Sequence, residues 1–324
     1  MSEMRWGIIG TGGIARTFAR DLKRTSGQSV VAVGSRSKEK AEAFASEFDC
    51  RPHASYESLV QSDVDAVYVA TPHPMHAPNT ILALQYGKPV LCEKPFAVNA
   101  RESASMIAEA KKSNLLLLEA MWSRFLPHYR RIREMIAAGD FGEIISISAD
   151  HGQNLPLPKY YRLHAPELAG GALLDLGIYP LSFAYFVLGK PQSVVAKGEF
   201  TETGVDSQTS IILRYDSGAH ANLTTTLLVK SPCTATIVGT QGTLFIDGDF
   251  YTPTSMRFKK VSGEIFEIPK SYEGHGLREQ AIEFEQLLRA GKKESELMSL
   301  SDTQSIMETM DEIRAQINLK YPFE

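Results

Sequence analysis

Two short stretches carry residues able to move a proton. In "VLCEKPFAVN", the apolar-leaning Val90-Leu91-Cys92 runs straight into a carboxylate, an ammonium and a proline, Glu93-Lys94-Pro95. In "GGALLDLGIYPLSFAYFVLG", Asp175 and Tyr179 stand four apart, so a helix beginning near Leu174 puts them on one face. A phenol is a poor base at its ordinary pKa of about 10. A nearby ammonium, such as Lys94, stabilises the phenolate and pulls that value down. The chemistry that fits is metal-free proton transfer at a hydroxyl or carbonyl carbon. The plainer reading makes Tyr179 a core residue among Leu176, Phe183 and Tyr185, and gives Glu93 a surface ion pair; on the residues alone both stand. His73-x-x-His76 has metal-like spacing, but Pro74 lies between and no neighbouring carboxylate or thiolate completes a set, so no metal is expected.

The elements around these residues place them. The first third alternates apolar runs ("MRWGIIG", "SVVAVGSR", "DAVYVATP", "KPVLCEKP", "NLLLLEAM") with helical spacing ("GIARTFARDLKRT", "KEKAEAFASEF", "HAPNTILALQYG", "ARESASMIAEAKKS"). Strict alternation predicts βαβ units and a parallel sheet covered on both faces, a doubly wound Rossmann α/β domain. At the first βα junction stands Gly10-Thr11-Gly12-Gly13-Ile14-Ala15, the G-x-G-x-x-A form. Gly10 permits a tight turn, Gly12 lets backbone approach a pyrophosphate, Ala15 allows close helix–strand packing, and the helix N-terminus faces the phosphates. The second strand ends in Gly34-Ser35-Arg36-Ser37, with Lys38 and Lys40 beyond, where an NAD site usually has Asp or Glu. Arg36 can fork onto a 2′-phosphate, and Ser35, Ser37 and Lys40 can add to its site. NADP(H) is therefore preferred as cofactor, with NAD(H) possible. Ligands of such sheets bind beyond the strands' carboxyl ends, which puts Glu93, Lys94, Thr71 and Pro72 at the cofactor and Lys94 where the nicotinamide should be.

Near Trp122 the texture changes. A helix from about Pro127 to Ala138, closed by Gly139, leads into short strands with Gly, Asp or Ser between them. Some alternate apolar and polar residues, as in "AHANLTTTL", the pattern of an antiparallel sheet with one wet face. Late helices are expected over about His275–Ala290 and Ser299–Asn318. The division is residues 1–122, a dinucleotide-binding domain, and 123–324, an α+β domain with a large, mostly antiparallel open sheet for substrate binding and oligomerisation. Trp122 and Arg124 lie at the join, where they could cover the cofactor. Arg162 and His164, before the Gly-Gly turn, are further candidates for the site.

Composition narrows the class. The chain has 324 residues, too many for the usual single core. Its net charge, 34 − 38 = −4, advertises neither nucleic acid nor an anionic membrane. Three scattered cysteines argue against a disulfide framework. The start lacks the zones of a signal peptide, and greasy runs such as "NLLLLEAMW" are too short for a bilayer, so the cytoplasm is the expected address.

The glycine motif, the "EKP" after the fifth strand and "GGALLDLGIYP" together resemble the glucose–fructose oxidoreductase, inositol dehydrogenase and rhizopine catabolism family, over essentially the whole chain. "EAMWSRFLP" and "LLDLGIYPL" look most like the dimeric dihydrodiol dehydrogenase branch, which includes NADP-dependent D-xylose dehydrogenases. The resemblance implies hydride transfer between NADP(H) and a CH–OH/C=O group of a sugar, cyclitol or trans-dihydrodiol. It implies Tyr179 as acid/base, where many relatives carry His, with Lys94 as electrostatic partner and Asp175 beside them. It also implies His76 near the nicotinamide, substrate contacts at Lys94, Arg162, Asp175 and Tyr179, and a homodimer or homotetramer through the second sheet. The rivals are a non-catalytic dinucleotide-binding regulator and a redox-neutral NAD-dependent glycosidase of related fold.

Overall fold

Six strands run parallel in one sheet, their apolar runs explained by burial on both faces. The computed structural model describes residues 3–324. The strands are β1 (Met4–Ile9), β2 (Gln28–Gly34), β3 (Arg51–His53), β4 (Ala66–Val69), β5 (Val90–Glu93) and β6 (Leu117–Ala120), in the order β3-β2-β1-β4-β5-β6. Strand order reverses between β1 and β4, the switch point at which such sheets hold dinucleotides. Helices α1 (Gly13–Leu22), α2 (Lys38–Phe48), α3 (Tyr56–Val60), α4 (His76–Gln85) and α5 (Ala100–Ser113) make the crossovers. Val67, Val69, Val90 and Leu117 pack with Phe96 and Met106 in one apolar cluster. β3 and α3 carry no apolar run that announces them: β3 is a three-residue edge strand containing Pro52.

The chain divides into two compact units. One runs up to Phe125 and adds Gly274–Gln304; the other is Leu126–Glu273 with Ser305–Glu324. This differs from a single cut after residue 122. The segment that opens α8 (Arg278–Arg289) returns to α1, where buried Asp21 accepts from the backbone N–H groups of His275 (3.1 Å), Gly276 (2.9 Å) and Arg278 (3.0 Å). A carboxylate at a helix start satisfies donors that have no intrahelical partner. Sequence offers no sign of this cap, because Asp21 and its partners are some 250 residues apart.

In the second unit α6 (Pro127–Ala137) ends before Gly139, at φ 76°. An eight-stranded sheet comes next, built from β7 (Ile144–Gly152), β8 (Ser193–Phe200), β9 (Asp206–Arg214), β10 (His220–Thr226), β11 (Ala235–Gly239), β12 (Gly242–Ile246), β13 (Met256–Lys260) and β14 (Ile265–Ile268). Its order is β14-β13-β12-β11-β7-β10-β9-β8, antiparallel except where β10 lies parallel to β7. The alternation in β10 buries Ala221, Leu223 and Thr225 and exposes His220, Asn222 and Thr224. α7 (Ile178–Leu188) packs on β7 and β10. The last helix, α9, spans Leu300–Ile317, and both late helices are slightly shorter than their sequence patterns suggest. The stretch Pro166–Leu188 is long and apolar enough to cross a membrane, a length that the greasy runs in the sequence do not suggest; 78% of an 18-residue apolar window within it is buried inside the fold, as in a core helix.

Candidate active site

The glycine loop is built for an anion. Gly10 has φ 110°, and a Cβ there would meet the Ala70 carbonyl oxygen at 2.6 Å, so this position excludes side chains twice over. Around Gly12 and Gly13 a Cβ would meet nothing within 4 Å, so the cradle is open. α1 has no side-chain cap and no acid in its first turn. α2, α3 and α5 are capped by Ser37, Ser55 and Asn99, whereas α4, like α1, has no side-chain cap. An open glycine turn leading into an uncapped helix is where a pyrophosphate fits, with Thr11, Ile14 and Ala15 completing the turn.

At the end of β2, Arg36 is exposed and Ser35 is buried. Ser37 is more committed than its residue type suggests. Its hydroxyl accepts from the Lys40 N–H (3.2 Å) and donates to Glu39 Oε2 (2.7 Å). That hydrogen bond holds the Glu39 carboxyl below its usual range. An acid, Glu39, therefore stands four residues on from Ser35, bonded to Ser37, while Arg36 is exposed just past the strand.

The ends of β4 and β5 are tied together by His76. Its Nε2 lies 2.9 Å from the Thr71 carbonyl oxygen and its Nδ1 2.8 Å from that of Pro95. Asn79 Nδ2 donates to Thr71 Oγ1 at 3.2 Å. Glu93, buried, accepts from the Tyr68 hydroxyl and from the Lys94 N–H. Lys94, half-buried, precedes a cis bond to Pro95. Glu93 thus binds the Lys94 backbone.

Trp122 and Arg124 are both buried within the first unit. The Trp122 ring lies 5.1 Å from that of His275, and Arg124 Nη1 lies 3.5 Å from Asp302 Oδ2. Near them Glu119 on β6 is buried and accepts from the Thr303 hydroxyl at 2.9 Å. Burial pushes its carboxyl up to about 7, against the pull of Thr303 and Arg124. Between the ordinary value of 4.5 and about 7 the unfolded chain releases a proton that the folded chain keeps. Stability from this site is therefore fully present below 4.5 and is lost as pH rises through about 7, a loss of about 3 kcal/mol. Glu119→Gln should flatten that fall, seen as a smaller difference between urea unfolding at about pH 5 and about pH 8 than in the parent.

In the second unit, Asp175 lies in a π-wound turn, Leu173–Gly177, that feeds α7, and Tyr179 comes after it in the α-helix proper. The four-residue spacing suggests a uniform α-helix, and the structure departs from it here. Single π turns inside helices are frequent at functional sites. Asp175 accepts from Arg162 Nη2 at 3.0 Å, so these two candidates are joined. His164 instead faces the Leu155 carbonyl at 2.8 Å. The Tyr179 ring packs against His151 (5.1 Å) and Tyr251 (4.7 Å), which stack on each other at 4.1 Å. Gln153 Nε2 donates to the Tyr251 hydroxyl at 2.9 Å. Burial, then the charge of Asp249, pushes the Tyr251 phenol well above its ordinary value, so it stays neutral. His151, Gln153 and Tyr251 are not singled out by sequence reasoning. The one available signal is the i, i+2 spacing of His151 and Gln153 at the end of an alternating strand.

Comparison with known proteins covers nearly the whole chain. Residues 4–120 match the oxidoreductase family with an NAD-binding Rossmann fold, and residues 129–245 match the GFO/IDH/MocA C-terminal domain. The chain is 38% identical to trans-1,2-dihydrobenzene-1,2-diol dehydrogenase of Xenopus tropicalis, over 98% of this chain and 99% of the relative. It is 35% identical to the NADP(+) D-xylose 1-dehydrogenase of Hypocrea jecorina, over 98% and 93%. Among solved structures, the 3-ketoreductase KijD10 of Actinomadura kijaniata, in complex with NADP and TDP-benzene, is 28% identical with a TM-score of 0.86, over 98% of both chains.

Proposed function

The chain belongs to the GFO/IDH/MocA family of oxidoreductases, with an NAD-binding Rossmann domain, and from that premise we infer an NADP(H)-dependent dehydrogenase of sugars, cyclitols or trans-dihydrodiols. The observation that carries the reading is the open glycine cradle at the uncapped start of α1, combined with an exposed Arg36 just past the second strand. Bound there, a nicotinamide coenzyme supplies the hydride acceptor or donor. The chain's own residues handle charge and proton. Tyr179 Oη takes the substrate hydroxyl proton as the carbonyl forms, or returns it in the reverse direction. The Lys94 ammonium stabilises the negative charge that develops on oxygen. Arg162 holds Asp175, which accepts from a second substrate hydroxyl. His151 and Tyr251 back the Tyr179 ring, and His76 fixes the backbone beside Lys94.

Absorbance at 340 nm with a panel of pentoses, hexoses, cyclitols and trans-dihydrodiols tests the reading, about 340 nm being the reduced-nicotinamide band. Net NADPH formation on at least one class supports it. A protein that binds NADP(H) and turns over none is the regulator, and glycoside cleavage without net reduction is the redox-neutral glycosidase. Arg36→Ala should raise the KM for NADP+ about 10–100-fold and leave that for NAD+ nearly unchanged, as expected for losing one charge-assisted contact of about 1.5–3 kcal/mol. Steady-state kinetics with both coenzymes checks this.

The open face of the second sheet supports self-association. Val195 (59% exposed) and Ile212 (48%) border a 430 Å³ hollow with Asn222, Thr224 and Lys197. An apolar patch with a polar rim fits a second copy of the chain, giving a homodimer or homotetramer. Light scattering should return two or four times 35.8 kDa; a monomer would remove the idea. The free thiols of Cys50, Cys92 and Cys233 support a reducing, cytoplasmic setting.

A further inference from the structure

We propose that Asp206 is a positioning residue for the reaction: from β9 it clamps the first turn of the helix that carries Asp175 and Tyr179 and thereby sets where their side chains stand. This rests on the reading of Tyr179 given above. Asp206 is fully buried. Its Oδ2 accepts from the Leu173 N–H at 2.8 Å and from Thr209 Oγ1 at 3.1 Å. Its Oδ1 lies against the Cα of Gly171, where a Cβ would meet it at 2.1 Å. Gly171 also has φ 115°, so both the close approach and the backbone demand glycine.

The helix start has no cap of its own: Ala172, which precedes the π turn, makes no side-chain cap bond. Its backbone polar groups are satisfied from elsewhere in the unit. Alongside Asp206, Thr225 Oγ1 reaches the carbonyls of Ala172 (3.3 Å) and of His151 (3.1 Å), and the Tyr321 hydroxyl donates to the Gly170 carbonyl at 2.7 Å. Three side chains from separate elements thus converge on Gly170–Leu173. Thr225 further links that turn to His151, whose ring meets Tyr179. A π turn is a looser start than an α turn, so its seat on the sheet fixes the axial position of the helix beyond it. A displacement of about 1 Å at a catalytic group costs about 100-fold in rate. Asp206 touches no reacting atom, and its effect runs through the helix.

The test compares Asp206→Ala, Asp206→Asn and Gly171→Ala with the parent full-length chain. It measures kcat per folded site, with folding followed by near-UV circular dichroism, and the NADPH dissociation constant by fluorescence titration. Asp206→Ala is expected to lose about 30–100-fold in kcat with NADPH affinity within about 2-fold, because orientation and not binding is lost. Asp206→Asn, which keeps an acceptor oxygen for Leu173, should recover to within about 5-fold of the parent. Gly171→Ala, which drives a Cβ into the carboxyl, should repeat the kcat-selective loss. A kcat for Asp206→Ala within about 3-fold of the parent overturns the proposal, as does a loss shared equally by kcat and NADPH affinity. Should Asp206→Ala fail to fold, parental kcat in both Asp206→Asn and Gly171→Ala overturns it instead. Tyr179→Phe is run in parallel. If it keeps parental kcat, the site assignment has failed; if it loses turnover while Asp206→Ala stays within about 3-fold of the parent, only this inference has failed.

Discussion

Tyr179→Phe should lower kcat by about 10²- to 10⁴-fold, the range for removing a general acid/base, while NADP(H) affinity stays within about 2-fold. The ring is 6% exposed and packed on His151 and Tyr251, and phenylalanine keeps that packing. Only the hydroxyl is lost. The distinction matters because a Tyr179 that merely fills the core would leave turnover near the parental value in this variant. Residual turnover should also depend less steeply on pH than the parent's, as expected when a proton-transferring group is removed. Steady-state kinetics against pH, with a verified substrate, reads both effects.

Lys94→Met should lower kcat by about 10²- to 10³-fold, as for loss of one group that stabilises developing charge. The methionine keeps the length of the side chain and removes the ammonium. Glu93 keeps its bonds from the Tyr68 hydroxyl and from the backbone N–H at position 94 in this variant. Lys94 is assigned to the nicotinamide end of the coenzyme and not to the pyrophosphate cradle, so NADPH affinity should fall much less than kcat. Lys94→Arg restores charge but not shape, and is expected to recover only part of the loss.

Local chemistry in this chain is legible from its residues. Gly10 is demanded by its positive φ and by contact with Ala70, and a glycine turn between an apolar run and a helix announces that demand. The alternation in β10 matches one buried and one wet face, as does the closing of α6 before Gly139. What escapes is long-range and polar. Asp21 caps a helix start more than 250 residues away, Asp206 seats the turn at Leu173, and Tyr251 stacks on His151 across 100 residues. None of these residues carries a local pattern, since their partners are fixed only by the fold. The π turn at Leu173–Gly177 is hidden for another reason: a four-residue spacing reads as α-helix. Ser37 reads as a phosphate donor and not as a cap already bonded to Glu39, because both roles favour the same residue type at the same place. Glu119 is invisible, since a glutamate at a strand end gives no hint of burial or of a carboxyl raised to about 7.

The most direct test of the central claim, that Lys94 and Tyr179 act together on one carbon, is a double-mutant cycle on kcat with Lys94→Met, Tyr179→Phe and the combined variant. Groups that form one catalytic unit give a double variant little worse than the more damaged single one, an interaction of about 2 kcal/mol or more. Losses that simply multiply, or near-parental turnover in either single variant, would contradict the account.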